Sequence, residues 1–407
     1  MSLQQISTRI KVVYNWLINK ILTIINYLFN KKDYNYLLEF PKKYSFGGEN
    51  IPLIDIDNKL VKKVKKFMDK NNLYESGVIV SLSGGVDSMV ILAILIRLIN
   101  EKPFNIYTCS INYNLRKESY DEMLFLKEYC KNYNVKTYFH HLEGTYNTGV
   151  GKRAIENSQT SGGRKVFEET SREIRYNGYK EIIQEFNCKG VMVGHHKDDI
   201  IENIFTNSMK GHDIMNIEVM KEISNINNVN IFRPLLDYPK SDIYELAHKY
   251  NIPYFLDTTP KWSRRGMMRN EIFPLFDKVF TSSWKKKFKE IGNQSNNWNS
   301  TIDRHFVKPW IDSVVYFDKD GMKSMLFKPM FTDDINLWTY IIPKMFFKMN
   351  EGTIKKKSII KMYNNIISGR EIKKKVILDS GYQYYYDGNV ITIFKNLLCI
   401  KNNMIKC

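Results

Sequence analysis

The chain is short of cysteine, of acids and of unbroken apolar runs, and each shortage excludes something. Five cysteines occur in 407 residues: Cys109, Cys130, Cys188, Cys399 and Cys407. None forms a CxxC pair, which argues against a zinc ribbon, an iron–sulfur site or a disulfide scaffold. Thiols this sparse fit a reducing interior, and the expected location is cytoplasmic. The apolar stretch Ile10 to Phe29 is interrupted by Lys11, Asn15, Asn19, Lys20 and Asn26. Polar groups at that frequency are costly in a bilayer, and no small-residue cleavage site follows. The stretch reads as an amphipathic helix, packed on the body or lying on a membrane surface; an organelle-targeting role stays open. Acids number 43 against 61 Lys and Arg, a formal net charge of +18. Such a surplus attracts polyanions, with nucleic acid the first candidate. The bias toward Lys, Asn, Ile and Tyr is also what an AT-rich genome would produce.

What is present begins with length and apolar content. At 407 residues and 43% hydrophobic, the chain has room for two or three domains and a sizeable core. The stretch from Val78 to Asn100 organises the rest. A β-branched run, Val78-Ile-Val-Ser, leads into Ser83-Gly84-Gly85-Val86-Asp87-Ser88 and then an apolar run of helix length. Glycines let the backbone turn sharply and approach a ligand closely. Free N–H groups at the start of the following helix then face that ligand, and the helix dipole favours an anion. The segment predicts a phosphate cradle. It lacks the Lys of the kinase-type loop, and Asp87 stands nearby instead. An acid beside phosphates makes sense if it holds Mg²⁺, which takes hard oxygen ligands.

Strands alternate with helices through the rest of this region. Strands are expected at Phe104 to Ile111, Val135 to His141 and Gly190 to Gly194. Helices are expected at Leu60 to Asn71, Tyr120 to Asn132, Arg164 to Phe186 and about Asp198 to Met209. The pattern predicts an α/β fold with a doubly wound parallel sheet, and ligands at the carboxyl ends of its strands. Residues 144–163 lack periodicity and read as a mobile loop. From about 281 the pattern turns helical, and Lys374 to Lys395 alternates as strands do. The expected domains are an extension over 1–50, an α/β domain over 51–280, a helical region over 281–367 and a small β-rich tail over 368–407.

The fourth strand runs into His195-His196-Lys197-Asp198-Asp199 and Glu202. Two acids at a helix start can hold Mg²⁺ or simply cap free N–H groups. Arg172 and Arg175, taken alone, read as a solvated helix face paired with Glu168, Glu169 or Glu173. Arg264 and Arg265 are a bare charge run that suits an RNA backbone or plain surface.

The Ser-Gly-Gly-x-Asp-Ser string resembles the loop of the PP-loop ATP pyrophosphatases. With Asn114 to Arg116, Arg172 to Tyr176, His195 to Glu202, Arg233 to Leu236, Asp257 and Arg269-Asn270-x-Ile272 in the same order, residues 76–280 resemble the tRNA(Ile)-lysidine synthetase family. The resemblance implies an enzyme that adenylates C2 of a wobble cytidine with ATP and Mg²⁺ as cofactors. L-lysine would then be attached, releasing AMP. It implies partners in tRNA, a CAU-anticodon isoleucine tRNA, and in lysine, with no obligate protein partner and a homodimer left open. By the same resemblance, Ser83, Gly84, Gly85, Val86, Asp87 and Ser88 cradle phosphates with Arg172 and Arg175 near the nucleotide. Asp87, Asp198, Asp199 and Arg269 are its catalytic set, and Asp87 and Asp199 its metal ligands. Arg116, His195, His196, Arg233, Arg264 and Arg265 face substrate or tRNA. Asn112-Tyr113-Asn114 stands where the family usually has Asp-His-Gly, and Phe273-Pro274 where it has a second Arg. Other readings are a tRNA thiolase on the same fold, for which paired cysteines are absent, and a non-catalytic RNA-binding protein, for which a broken loop is expected.

Overall fold

In the strand Val78–Ser81, Val78, Ile79 and Val80 are all buried, as a strand covered on both faces requires. The computed structural model describes residues 34–46, 54–113, 118–141, 161–257, 263–319, 322–329, 334–349, 354–368, 372–378 and 381–395. The N-terminal stretch Ile10 to Phe29, most of the 144–163 segment and Arg116 lie outside them. The described residues divide into two compact units. The first runs to His212 and resumes over Ile217–Glu290; the second joins Asp213–Asn216 to residues from Ile291 on.

The first unit opens with β1 (Leu38–Phe40) and α1 (Lys59–Lys70), then β2 (Val78–Ser81), α2 (Val86–Ile99), β3 (Ile106–Asn112), α3 (Ser119–Asn132) and β4 (Lys136–His141). There follow α4 (Ser161–Phe186), β5 (Val191–Met192), α5 (Lys197–Met209), β6 (Ile223–Ile226), β7 (Val229–Phe232), α6 (Lys240–Lys249) and β8 (Tyr254–Phe255). Strand order is β4-β3-β2-β5-β7-β6, parallel except for β6. The chain leaves β2 toward β3 and β4, then returns to β5 on the other side. The switch in strand order therefore falls between β2 and β5, where a crevice opens at the carboxyl ends.

Helix α2 is apolar on every side and buried nearly throughout, as a central helix must be. Helix α1 shows the amphipathic alternative. Leu60, Val61, Val64, Phe67 and Met68 bury one face, its lysines take the other, and Asn58 caps it by accepting from Leu60 N at 2.9 Å. The β6–β7 hairpin turns on Asn227 and Asn228, both at positive φ, a conformation that Asn tolerates. Part of the N-terminal extension is integral to this core. Strand β1 pairs antiparallel with β8, and Tyr34, Tyr44 and Phe46 pack against Phe125.

Helices α7 (Arg264–Met267) and α8 (Phe273–Phe280) are continuous through a wider π turn at Met268–Ile272. Pro274 has no N–H to offer the preceding turn, which accounts for the widening. Helix α9 (Ser283–Ile302) leads into the second unit.

That unit contains α10 (Lys308–Ser313), β9 (Val315–Lys319), β10 (Met322–Phe327), α11 (Ile335–Lys348), α12 (Lys356–Ile367), β11 (Ile372–Ile377), β12 (Tyr382–Tyr386) and β13 (Ile391–Lys395). Its sheet is antiparallel, in the order β11-β12-β13-β10-β9. Met325, Tyr384, Ile391 and Ile393 are buried in one core with Trp338, Ile342 and Met345 of α11. The region expected to be helical thus contributes two strands, β9 and β10, to the C-terminal sheet. No helix among the described residues is long and apolar enough to cross a membrane.

Candidate active site

The loop after β2 is shaped by its own small side chains. Ser88 Oγ donates to Gly85 O at 3.0 Å and accepts from Ser83 N at 3.2 Å, closing the turn on itself. Gly84 has φ +80, which glycine adopts without penalty. A Cβ there would also lie 2.1 Å from the Phe255 ring, and Phe255 N donates to Gly84 O at 2.9 Å. Strand β8 therefore holds the loop from one side. Helix α2 begins directly after Gly85, so its first N–H groups open toward the crevice.

The loop borders a cleft of about 1750 Å³, formed wholly within the first unit. Ser83, Gly85, Val86, Asp87 and Ser88 line it, with Arg175, His195, Asp199, Arg233, Arg264, Arg265 and Arg269. Among the predicted site residues, Gly84 packs behind the loop against Phe255. Arg172 is exposed on α4 with its guanidinium over the Tyr176 ring, and is not among the lining residues. His196 is buried and Asp198 half-buried, and neither is among the lining residues.

Two carboxylates meet at the crevice. Gly194 at the end of β5 packs directly on Asp87, where a Cβ would lie 2.6 Å from Asp87 Cβ. Buried His196 places Nε2 3.6 Å from Asp87 Oδ1 and 3.4 Å from Asp199 Oδ2. Asp199 Oδ2 also accepts from His196 N at 3.0 Å, so the acid caps α5 while its other oxygen faces Arg265. Asp198 has a different task. It accepts from Lys240 N at 2.8 Å, tying the start of α5 to the start of α6. The imidazole of His196 beside it and that N–H hold its carboxyl down at about 2.

The residue that sequence reasoning missed is Lys240. Its Nζ reaches both Asp87 oxygens, at 2.6 and 2.8 Å. It follows Arg233-Pro-Leu-Leu by a few positions, and that offset is the one signal that could have found it. Glu202, quoted in the motif but given no role, is the second omission. Its oxygens accept from Arg265 Nε at 2.6 Å and Arg269 Nε at 2.5 Å, while Arg265 Nη2 reaches Asp199 Oδ1 at 2.5 Å. Glu202 and Asp199 are buried, so they fix both arginines along one wall.

Arg233 is buried and is held through Nε and Nη1. It donates to His195 Nδ1 at 3.0 Å, to Lys221 O at 2.7 Å and to Ser224 Oγ. An arginine only donates, so His195 Nδ1 is unprotonated and Nε2 carries the hydrogen. Burial pushes the His195 imidazole down to about 4, keeping it neutral. Arg175 bonds the Tyr113 phenol through Nε at 3.2 Å and also through Nη2. Tyr113, which stands where the family usually has His, thus gives Arg175 a neutral phenol as its partner.

Asp87 and Asp199 each place a hard oxygen within 3.6 Å of His196 Nε2, and they are paired here with Lys240 and Arg265. Among the described residues no group of three or more His, Cys, Asp or Glu gathers as a full metal cage. Mg²⁺ commonly takes one or two carboxylates and completes its shell with water and phosphate, so this pair fits it.

Comparison with known proteins agrees with this arrangement. The model for the PP-loop domain matches residues 56–276. A tRNA(Ile)-lysidine synthase from Thermosipho africanus is 28% identical over 232 residues, 56% of this chain and 49% of that protein. One from Mesoplasma florum is 25% identical over 337 residues, 81% of this chain and 74% of its own length. The chain thus spans about half the length of the Thermosipho relative and three quarters of the Mesoplasma one. A solved U34-tRNA thiolase from Methanococcus maripaludis superposes with a TM-score of 0.46 at 18% identity, covering 61% of this chain and 80% of its own. With its phosphate loop at the switch between β2 and β5, and with more than half its length matched, this chain belongs to the PP-loop family.

Proposed function

We propose that this ATP-using chain is a tRNA-modifying ligase. It adenylates C2 of the wobble cytidine in a CAU-anticodon isoleucine tRNA and joins lysine there. The observation that carries the reading is the single cleft in which the Ser83–Ser88 turn, the Asp87–Asp199 pair and the Arg265–Glu202–Arg269 wall converge. In the first step the C2 oxygen attacks the α-phosphorus and pyrophosphate leaves. In the second, a lysine nitrogen bonds C2, the C2–O bond breaks, and AMP departs with that oxygen.

The residues have separable tasks in this reading. The turn and the start of α2 hold phosphates by N–H groups. Asp87 and Asp199 would hold Mg²⁺, which supplies charge neutralisation on the phosphates. Lys240 supplies the cation that the turn itself lacks. Arg265 and Arg269, fixed in place by Glu202, are preorganised for charge that grows in the transition state. Arg175, bonded only to a phenol, keeps its full charge for an anionic group. His195 presents a neutral Nε2–H donor. Residues 281–407 are assigned to gripping tRNA, in keeping with the basic charge of the chain.

The three thiols among the described residues favour this reading over sulfur transfer. Cys109, Cys130 and Cys188 are buried and free. Burial pushes the Cys109 thiol up to about 12 and Cys188 to about 11, away from the reactive thiolate.

Mass analysis of CAU-anticodon tRNA after incubation with ATP, Mg²⁺ and labelled lysine tests the proposal. The expected product carries lysine at the wobble cytidine. Sulfur at that base, or an unmodified tRNA, would overturn it.

A further inference from the structure

Strand β1 lies outside the matched residues 56–276, yet it lines the cleft. Leu38 and Phe40 turn into the core, and strand alternation turns Glu39 to the opposite face, where it borders the cleft beside Tyr254. Tyr254 belongs to an aromatic group. Its hydroxyl meets His248 Nε2 at 2.9 Å, its ring lies 5.8 Å from that of Tyr244, and Phe40 packs on His248 at 4.4 Å. Burial, with the Tyr244 and Glu39 charges, pushes the Tyr254 phenol up to about 12, in keeping with an acid close by.

The other acids of the cleft are committed. Asp87 holds Lys240, Asp199 holds Arg265, and Glu202 holds Arg265 and Arg269. Asp257 lies 3.9 Å from Arg269, and Glu122 has an interaction of its own. Among the described residues Glu39 is the one lining acid without a hydrogen bond or ion pair.

An amino acid with two amines attacks with one, unprotonated, while the other stays an ammonium. That ammonium must find a carboxylate in a cleft otherwise dominated by arginine and lysine. We propose that Glu39, an exposed carboxylate at the cleft edge beside Tyr254, forms the subsite for the ammonium of lysine that does not attack. A carboxylate supplies the charge-assisted bond that an ammonium needs. The inference rests on the ligase reading above. It gives an N-terminal strand a part in choosing the nucleophile.

The test measures kcat and KM for L-lysine, at saturating ATP and tRNA, for the full chain and for Glu39→Gln and Glu39→Asp. Glu39→Gln is expected to raise the KM for lysine about tenfold or more, with kcat and the KM for ATP within about twofold. Glu39→Asp recovers part of the loss. Because Glu39 is exposed, its thermal unfolding midpoint should not move. A wild-type KM for lysine in Glu39→Gln overturns the inference and leaves the ligase reading standing. A parallel rise in the KM for ATP also overturns it, since that marks a general distortion. A wild-type chain that releases pyrophosphate but transfers no lysine overturns both.

Discussion

Lys240 shows what individual side chains contribute here. The turn at Ser83–Ser88 has no basic residue, and the compensating ammonium arrives from 153 positions further along to sit on Asp87. Lys240→Met should leave the fold intact, since Asp87 is partly solvated. It should slow pyrophosphate release from ATP about 10²-fold, the scale of losing one preorganised charge in a water-poor site. Lys240→Arg should fall between. A Met variant with wild-type turnover would remove Lys240 from the machinery. His195 gives a second prediction, of pH dependence. Its folded value of about 4 lies below the ordinary 6.5, so between those limits the unfolded chain binds more protons. Stability is therefore lost as pH falls through that window. His195→Asn keeps an acceptor for Arg233 but does not titrate. Its unfolding midpoint should decline less than that of the wild-type chain between pH 6.5 and about 4. Equal slopes would mean that His195 is not the group responsible.

At the scale of elements, the phosphate turn is held by strand β8, which is only two residues long. Gly84→Ala meets a twofold obstacle: a positive φ costing about 1 kcal/mol, and the Phe255 ring in the space its methyl needs. Lower stability and weaker nucleotide binding are expected. Phe255→Leu in that background should restore part of the stability but not all of it, because the backbone strain stays. Full recovery would mean that the φ is not constraining. Strand β8 also marks where reading the sequence stops. The β-branched run before Ser83, the all-apolar α2 and the order of helices and strands were legible because local pattern carries them. Two-residue β8 exists because β1 pairs with it, and no local pattern encodes that pairing. Strands β9 and β10 were read as helix because their apolar residues form strands only beside β13. The site divides the same way. Asp87, Asp199 and Arg269 lay in recognisable strings and Arg265 in a bare charge run, and the structure brings all four into one cleft. Arg172 matched a string and faces away. Asp198 matched and serves as a tie between helices. Lys240 and Glu39 reach the cleft through tertiary packing that no string announces.

At the scale of the whole molecule, a formal net charge of +18 makes counterion release a large part of any RNA affinity. The logarithm of the tRNA association constant should fall steeply and linearly with the logarithm of salt concentration. A flat response would remove the polyanion argument and with it the task given to residues 281–407. The account as a whole stands on where ATP is cut. A phosphate turn at a helix start, with two acids and Lys240 around it, serves attack on the innermost phosphorus of the triphosphate. The most direct measurement is product analysis of α- and γ-labelled ATP on addition of CAU-anticodon tRNA. The account predicts tRNA-dependent AMP and pyrophosphate in equal amounts. ADP with free phosphate, or no cleavage at all, would contradict it.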